Sequence, residues 1–188
     1  MQVTGFSPFP TLQTQRLVLR QLRMADAPAL YTLRANDEVR KYLDRPRPAS
    51  QQEIIALIEM IAANWQKEES LTWAISLSGE PHHLVGTIGF WRMQKEHFRA
   101  EIGYLLHPQY HRQGIMNEAI TAVLDYGFRH MNLHSVEAHV NPDNAASIRL
   151  LEKFGFVREA YFRENYYYDG KFLDTAVYSL VSSSGVTE

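Results

Sequence analysis

The sequence predicts an α/β domain: a central mixed sheet with helices on its faces. Three observations carry this. Short apolar stretches of strand length recur at 17–22, 72–77, 84–91, 99–106, 135–140, 157–168 and 171–181. Stretches with helical spacing lie between them, and the clearest carries Ile54, Leu57, Ile58, Ile61 and Trp65. Asp169-Gly170 separates the last two strand stretches, a two-residue hairpin signal. Strands and helices that alternate in this way pack as layers around one sheet.

Taken in order, residues 1–11 read as a polar, proline-marked arm, 12–182 as a single domain and 183–188 as a tail. After the first strand, Asp26 with Pro28 behind it starts a helix that Ala29 to Arg34 continues. Glu38 to Leu43 is a second short helical piece. Pro46 and Pro48 make 44–49 a loop. Ser50 with Glu53 forms a capping box for the next helix. Gly79-Glu80-Pro81 turns the chain between two strands. A long helix ends near Met131, and another, from Asn144 to Phe154, is closed by Gly155.

Composition limits the function. At 188 residues the chain is long enough for one well-filled core. A formal net charge of −2 argues against a general nucleic-acid binder. No apolar run is long enough to span a bilayer, and the start shows no signal-peptide pattern, so a cytoplasmic location is the default expectation. Without cysteine there is no protein thiolate nucleophile. The eight histidines suggest no metal set: His82-His83 lies in a turn, Pro108 separates His107 from His111, and His134 and His139 lack a third ligand.

One stretch points to a ligand. Tyr110-His111-Arg112-Gln113-Gly114-Ile115-Met116-Asn117 joins a strand to a helix start. The first amides of a helix have no internal acceptor, and the helix dipole adds partial positive charge there. Gly114 allows close backbone approach, and Arg112 adds a fixed charge. The turn therefore suits a pyrophosphate-bearing ligand.

From Glu101 to Gly155 the chain resembles the GNAT superfamily of acetyl-CoA-dependent N-acetyltransferases. The resemblance rests on three motifs in order: His111 to Met116 at the Arg/Gln-x-x-Gly-x-Gly/Ala signature, Asn141-Pro142-Asp143-Asn144-Ala145-Ala146-Ser147, and Leu151-Glu152-Lys153-Phe154-Gly155-Phe156. Thr14 to Arg20 and Asp169-Gly170-Lys171 are similar to the RimJ/RimL branch, which acetylates α-amines of ribosomal proteins. His111 replaces Arg or Gln, and Met116 replaces Gly or Ala. Backbone donors do most of the phosphate binding, so neither change removes it. Met116 either crowds the turn or packs inward with Ala119, Ile120 and Val123.

The resemblance implies six or seven mixed, mostly antiparallel strands that splay near mid-sheet, with acetyl-CoA in the gap and no metal. It places the pyrophosphate on Arg112, Gln113, Gly114, Ile115, Met116 and Asn117. The pantetheine arm would pair with the backbone of Tyr104, Leu105 and Leu106, and an amide at Leu105 or Leu106 would polarise the thioester carbonyl. Asn144, Ser147 and Phe154 would lie along the cofactor. Glu101 resembles the family's strand glutamate base; the alternative is a charged residue paired with a nearby arginine. Many members place a tyrosine acid where Leu151 stands, and Leu151 donates no proton. Ser147 is similar to a serine proposed as acid or water-organiser in the branch; a small helix residue beside the cofactor is the preferred alternative.

Direct attack on a thioester needs a neutral amine. At neutral pH that costs roughly 1 kcal/mol for an α-amine and roughly 4.6 kcal/mol for a lysine. A protein N-terminus is therefore the leading acceptor. The alternatives are a small amine, such as a polyamine, amino acid or antibiotic, and a non-catalytic acyl-CoA-binding module. No direct nucleic-acid or membrane partner is expected, and a homodimer is compatible with the family. Tyr166-Tyr167-Tyr168 either lines an acceptor cleft or packs the sheet, and Phe90 and Trp91 share that ambiguity. The Arg45-Pro46-Arg47 loop reads first as solvated surface, with contact to an acidic acceptor as the alternative.

Overall fold

The computed structural model describes residues 6–182; residues 1–5 of the expected arm and the tail at 183–188 lie outside the described residues. The strands are β1 (Leu12–Gln13), β2 (Leu17–Gln21), β3 (Leu71–Leu77), β4 (Gly86–Gln94), β5 (Arg99–Leu106), β6 (Ser135–Val140), β7 (Val157–Tyr168) and β8 (Lys171–Val181). The helices are α1 (Ala27–Ala35), α2 (Asp37–Arg40), α3 (Gln51–Gln66), α4 (Ile115–Arg129) and α5 (Ala145–Lys153). The strands form one sheet in the order β1-β2-β3-β4-β5-β6-β8-β7. All neighbours are antiparallel except β5 and β6.

The eighth strand exceeds the six or seven expected. It is the two-residue β1, folded back on β2 by a turn in which the Thr14 amide donates to Leu17 O at 3.0 Å. The arm before it is less polar in practice than in sequence. Phe6 is buried, and the Phe9 ring meets Trp65 and Trp73 edge-on. The two indoles donate to Phe6 O at 3.1 Å and Pro10 O at 2.7 Å. Large aromatic area offsets the cost of ordering this segment.

The helix starts differ from expectation in detail. Asp26 precedes α1, but its carboxylate makes no cap to that helix. It is buried and binds both ends of the Arg20 guanidinium at 2.7 and 2.8 Å, and it accepts from the Arg23 amide at 2.8 Å. The short helix begins at Asp37, not Glu38, because Asn36 Oδ1 accepts from Glu38 N and Val39 N. At α3, Ser50 Oγ accepts from Glu53 N at 3.4 Å, whereas Glu53 reaches back to Ala49 N, one residue earlier than a capping box requires.

Two apolar clusters fix the layers. The larger joins Leu17, Leu19, Trp73, Ile88, Phe90, Ile102 and Val136 of the sheet to Ile115, Met116, Ile120 and Val123 of α4. The smaller packs Leu30, Leu33, Ile54 and Ile58 of α1 and α3 on Ala74. α4 lies close against β4 because Gly127 faces the Phe90 ring: a Cβ at 127 would come within 2.7 Å of Phe90 Cζ. The helix face with Ile115, Ala119 and Val123 is thereby pressed onto the sheet beside the gap described next.

Candidate active site

β5 and β6 are parallel neighbours for three pairs only: Arg99 with Ser135, Ala100 with Val136, and Glu101 with Glu137. Beyond Glu101 they part, and Ile102 to Leu106 have no partner on that side. β6 stays bound to β8 throughout, and β5 to β4. The sheet thus opens at Glu101, leaving an unpaired strand edge onto which another extended, amide-bearing chain can add.

Alternation along β5 decides which groups face the opening. The His107 amide donates to Val85 O at 2.9 Å, across β4. Amides two residues apart point the same way, so Leu105 is turned into the β4 ladder, and Tyr104 and Leu106 face the gap. Of the expected pairing set, the gap-facing members are therefore Tyr104 and Leu106. Leu106 O accepts from His111 Nε2 at 2.9 Å, which leaves the Leu106 amide available. His111 Nδ1 lies 3.6 Å from Glu38 Oε1, tying α2 to the turn.

Side chains alternate too. Leu105 packs with the α1–α3 cluster and Tyr104 with the α4 cluster. Glu101 shares parity with Leu105 and so lies on the face opposite Tyr104. Glu101 is buried and accepts from Arg92 Nη1 at 2.9 Å. Arg92 reaches it from an irregular end of β4 in which its own backbone is left-handed (φ 46°). The Trp91 ring covers Gly103 and carries two guanidinium groups, Arg92 at 5.3 Å and Arg45 at 5.9 Å from the centroid. On the other face, Tyr104 Oη and Ser147 Oγ are 2.8 Å apart. Burial pushes the Tyr104 hydroxyl up to about 12, with the Ser147 bond opposing it. Asn144 Oδ1 caps α5 by accepting from Ser147 N at 3.1 Å, which fixes Ser147 beneath Tyr104. Leu151 is buried, and Phe154 is half-buried against the α4 cluster.

The turn before α4 has the form expected of an anion site. Gly114 is left-handed (φ 76°) and precedes the helix; the Glu118 amide is the first to bond back, to Gly114 O at 3.1 Å. The amides of Ile115, Met116 and Asn117 therefore have no acceptor within the helix. Met116 takes the inward alternative and is buried with Ala119, Ile120 and Val123. Arg112 and Gln113 are exposed on the turn, and Gln113 Nε2 donates to Gln109 O at 2.7 Å. Sequence reasoning missed the brace beneath it. Glu118 accepts from Thr14 Oγ1 at 2.5 Å, Arg16 N at 2.8 Å and Arg16 Nε at 2.7 Å, while Arg16 Nη1 donates to Gln113 O at 2.9 Å. Burial raises Glu118, but these bonds and the Arg16 charge outweigh it and hold the carboxyl below its usual range. The Thr14-x-Arg16 pattern was visible in sequence; its partner, about a hundred residues on, was not.

The pattern of the acetyltransferase (GNAT) domain matches residues 16–157, most of the chain. The chain belongs to the GNAT acetyltransferase family. A relative in Bacillus subtilis (strain 168), the uncharacterized N-acetyltransferase YoaA, is 40% identical over 173 residues, 92% of this chain and 97% of that protein. Two solved structures share the fold at lower identity. The RimL ribosomal L7/L12 α-N-protein acetyltransferase with coenzyme A superposes with TM-score 0.82 at 21% identity, over 96% of this chain and 98% of that one. Spermidine N-acetyltransferase from Vibrio cholerae, with coenzyme A and spermine, gives 0.79 at 24%, over 90% and 98%. This GNAT member is an N-acetyltransferase.

Its own residues fit acetyl-CoA. The free edge of β5 offers backbone groups to the amides of a pantetheine arm. The amides of 115–117 suit a diphosphate. Asn117 Oδ1, in the first turn of α4, is buried without a hydrogen-bond partner and so lacks a donor that the ligand's N–H or hydroxyl groups would provide. Among the described residues no three His, Cys, Asp or Glu gather as a metal site, and no helix is long and apolar enough to cross a membrane.

Proposed function

We propose that this GNAT member transfers the acetyl group of acetyl-CoA in one step to the neutral α-amine at a protein N-terminus. The observation that carries the reading is the division of β5: Glu101 on one face and the Tyr104–Ser147 pair on the other, at the point where the sheet opens. The attacking amine and the departing sulfur occupy different corners of the tetrahedral intermediate, and a single strand provides a group for each.

Bound acetyl-CoA supplies a thioester, activated for attack by an amine. Glu101 takes the proton of the incoming amine, directly or through one water, while Arg92 holds its carboxylate in place. The Leu106 amide donates to the carbonyl oxygen as negative charge develops there. As the nitrogen–carbon bond forms and the carbon–sulfur bond breaks, Tyr104 donates a hydrogen bond to the departing thiolate. With a hydroxyl at about 12, Tyr104 keeps its proton, and solvent protonates the thiolate. Ser147 orients Tyr104, which stands in for the tyrosine absent at position 151.

An α-amine suits a site with one paired carboxylate, because its deprotonation costs only about 1 kcal/mol at pH 7. The RimL likeness supports the same acceptor class. Thiol release from acetyl-CoA, measured over peptides with free and blocked N-termini, a lysine peptide and spermidine, tests the reading. Free N-termini should be turned over and blocked ones should not; equal rates for both would refute it.

A further inference from the structure

The segment from α1 to α3 roofs the face that carries Glu101, and in its stretch ahead of α3, residues 27–50, cations outnumber carboxylates. The carboxylates ahead of α3 are all engaged. Asp37 pairs with Arg40 at 3.6 Å and with Arg47, Glu38 faces His111, and Asp44 accepts from Tyr166 of β7. Glu101 below belongs to Arg92. Among the described residues, Arg34 and Arg45 have no ion pair. They are close enough that Arg45, after burial, helps push the Arg34 guanidinium below its ordinary value. Arg40 also leaves Nε buried without an acceptor. A half-buried Arg34 with a second, exposed guanidinium near it is stabilised when a ligand brings an anion.

The location matters as much as the charge. Arg45 sits over Trp91, and Trp91 is the cross-strand partner of Glu101. Arg45 therefore lies roughly 10 Å from the base, two to three residues of extended chain. Resting on the α-amine reading above, we infer that Arg45 beside Trp91, with Arg34 behind it, binds a carboxylate that the acceptor carries a short way from its reacting amine. The acceptor is thus an acidic N-terminal segment or a free acidic amino acid, and a polycation is repelled.

The test compares Ala-Glu-Asp-, Ala-Gly-Gly- and Ala-Lys-Lys-headed hexapeptides, free aspartate and spermidine, by thiol release and by calorimetric binding in the presence of coenzyme A. The acidic peptide should show a KM and a dissociation constant about tenfold below the neutral one. Arg45→Ala should remove that preference through KM, and Arg45→Glu should shift it toward the lysine peptide. Coenzyme A affinity should be unchanged in both variants, which are exposed loop changes. Aspartate turned over in place of the acidic peptide keeps the carboxylate site and identifies a small acceptor. Equal constants for the three peptides, preference for spermidine, or a fall in coenzyme A affinity in Arg45→Ala would overturn the inference. The binding arm separates the two readings. Acidic preference in binding without thiol release would count against the transferase chemistry alone, and turnover blind to charge would count against the arginine site alone.

Discussion

Glu101 and Tyr104 are three residues apart, and the odd spacing puts them on opposite faces of β5, as the proposed roles require. Glu101→Gln should lower turnover most at acidic pH, where the smallest share of acceptor is already neutral; a loss independent of pH would argue against a base. Tyr104→Phe should lower kcat about tenfold, since a thiol with pKa near 8.5 departs without strong acid help. Turnover between pH 7 and 10 should show no alkaline fall from Tyr104, which stays protonated to about 12. The same hydroxyl enters stability. Its folded pKa exceeds the unfolded value of roughly 10, so its contribution is complete below that pH and is lost as pH rises toward 12. Thermal melts of Tyr104→Phe should show a shallower alkaline decline than the parent, with Tyr126 and Tyr166, also raised, supplying the rest. At this scale the sequence put forward Glu101 and Ser147 as candidates but not the Tyr104 hydroxyl, because that contact joins β5 to α5, 43 residues away. It anticipated an arginine beside Glu101 as the alternative reading, and the structure shows that pair, but it did not single out Arg92, since an irregular strand end leaves no sequence pattern.

At the scale of elements, the start of α4 is held from both sides. Gly114→Val would place a β-branched residue at φ 76° with its Cβ 3.3 Å from Arg16 Nη2. Coenzyme A affinity should fall far more in this variant than in Glu101→Gln, and calorimetry giving equal losses would contradict that division. Glu118→Gln should loosen the brace. A carboxylate held below its ordinary value stabilises the fold above that value and ceases to do so as pH falls through its lowered one. The variant should therefore melt below the parent at pH 7 and near it in strong acid. Several elements were legible because their signals are local: the strands at 99–106, 135–140, 157–168 and 171–181 have the observed limits. Helix starts were less so. Asp26 looked like a cap, but a buried arginine out-competed the helix amides for its carboxylate.

Over the whole molecule, the Arg20–Asp26 pair binds β2 to the turn at Pro81 and His82 as well as to the start of α1. Both side chains are almost fully buried, at 5% and 3% exposure. Asp26→Ala would strand a guanidinium in the core and should cost about 3–5 kcal/mol in denaturant unfolding. A smaller loss would mean that the carbonyls of Pro81, His82 and Gln21 suffice. The sheet's layering and mixed direction could be read from periodicity, whereas the roof over Glu101 could not, because its contacts link residues 44 and 166. Gly127 has a consequence at this scale. The Phe90 ring occupies the room a side chain would need there, so α4 is seated against β4 at a single depth. Twelve residues earlier, about 18 Å along the rod, the same seating dictates how far the amides of 115–117 stand from the open edge of β5. On the proposed binding mode, the span between diphosphate and thioester is gauged by an aromatic ring that touches neither, and a methyl group added at 127 would lengthen the ruler.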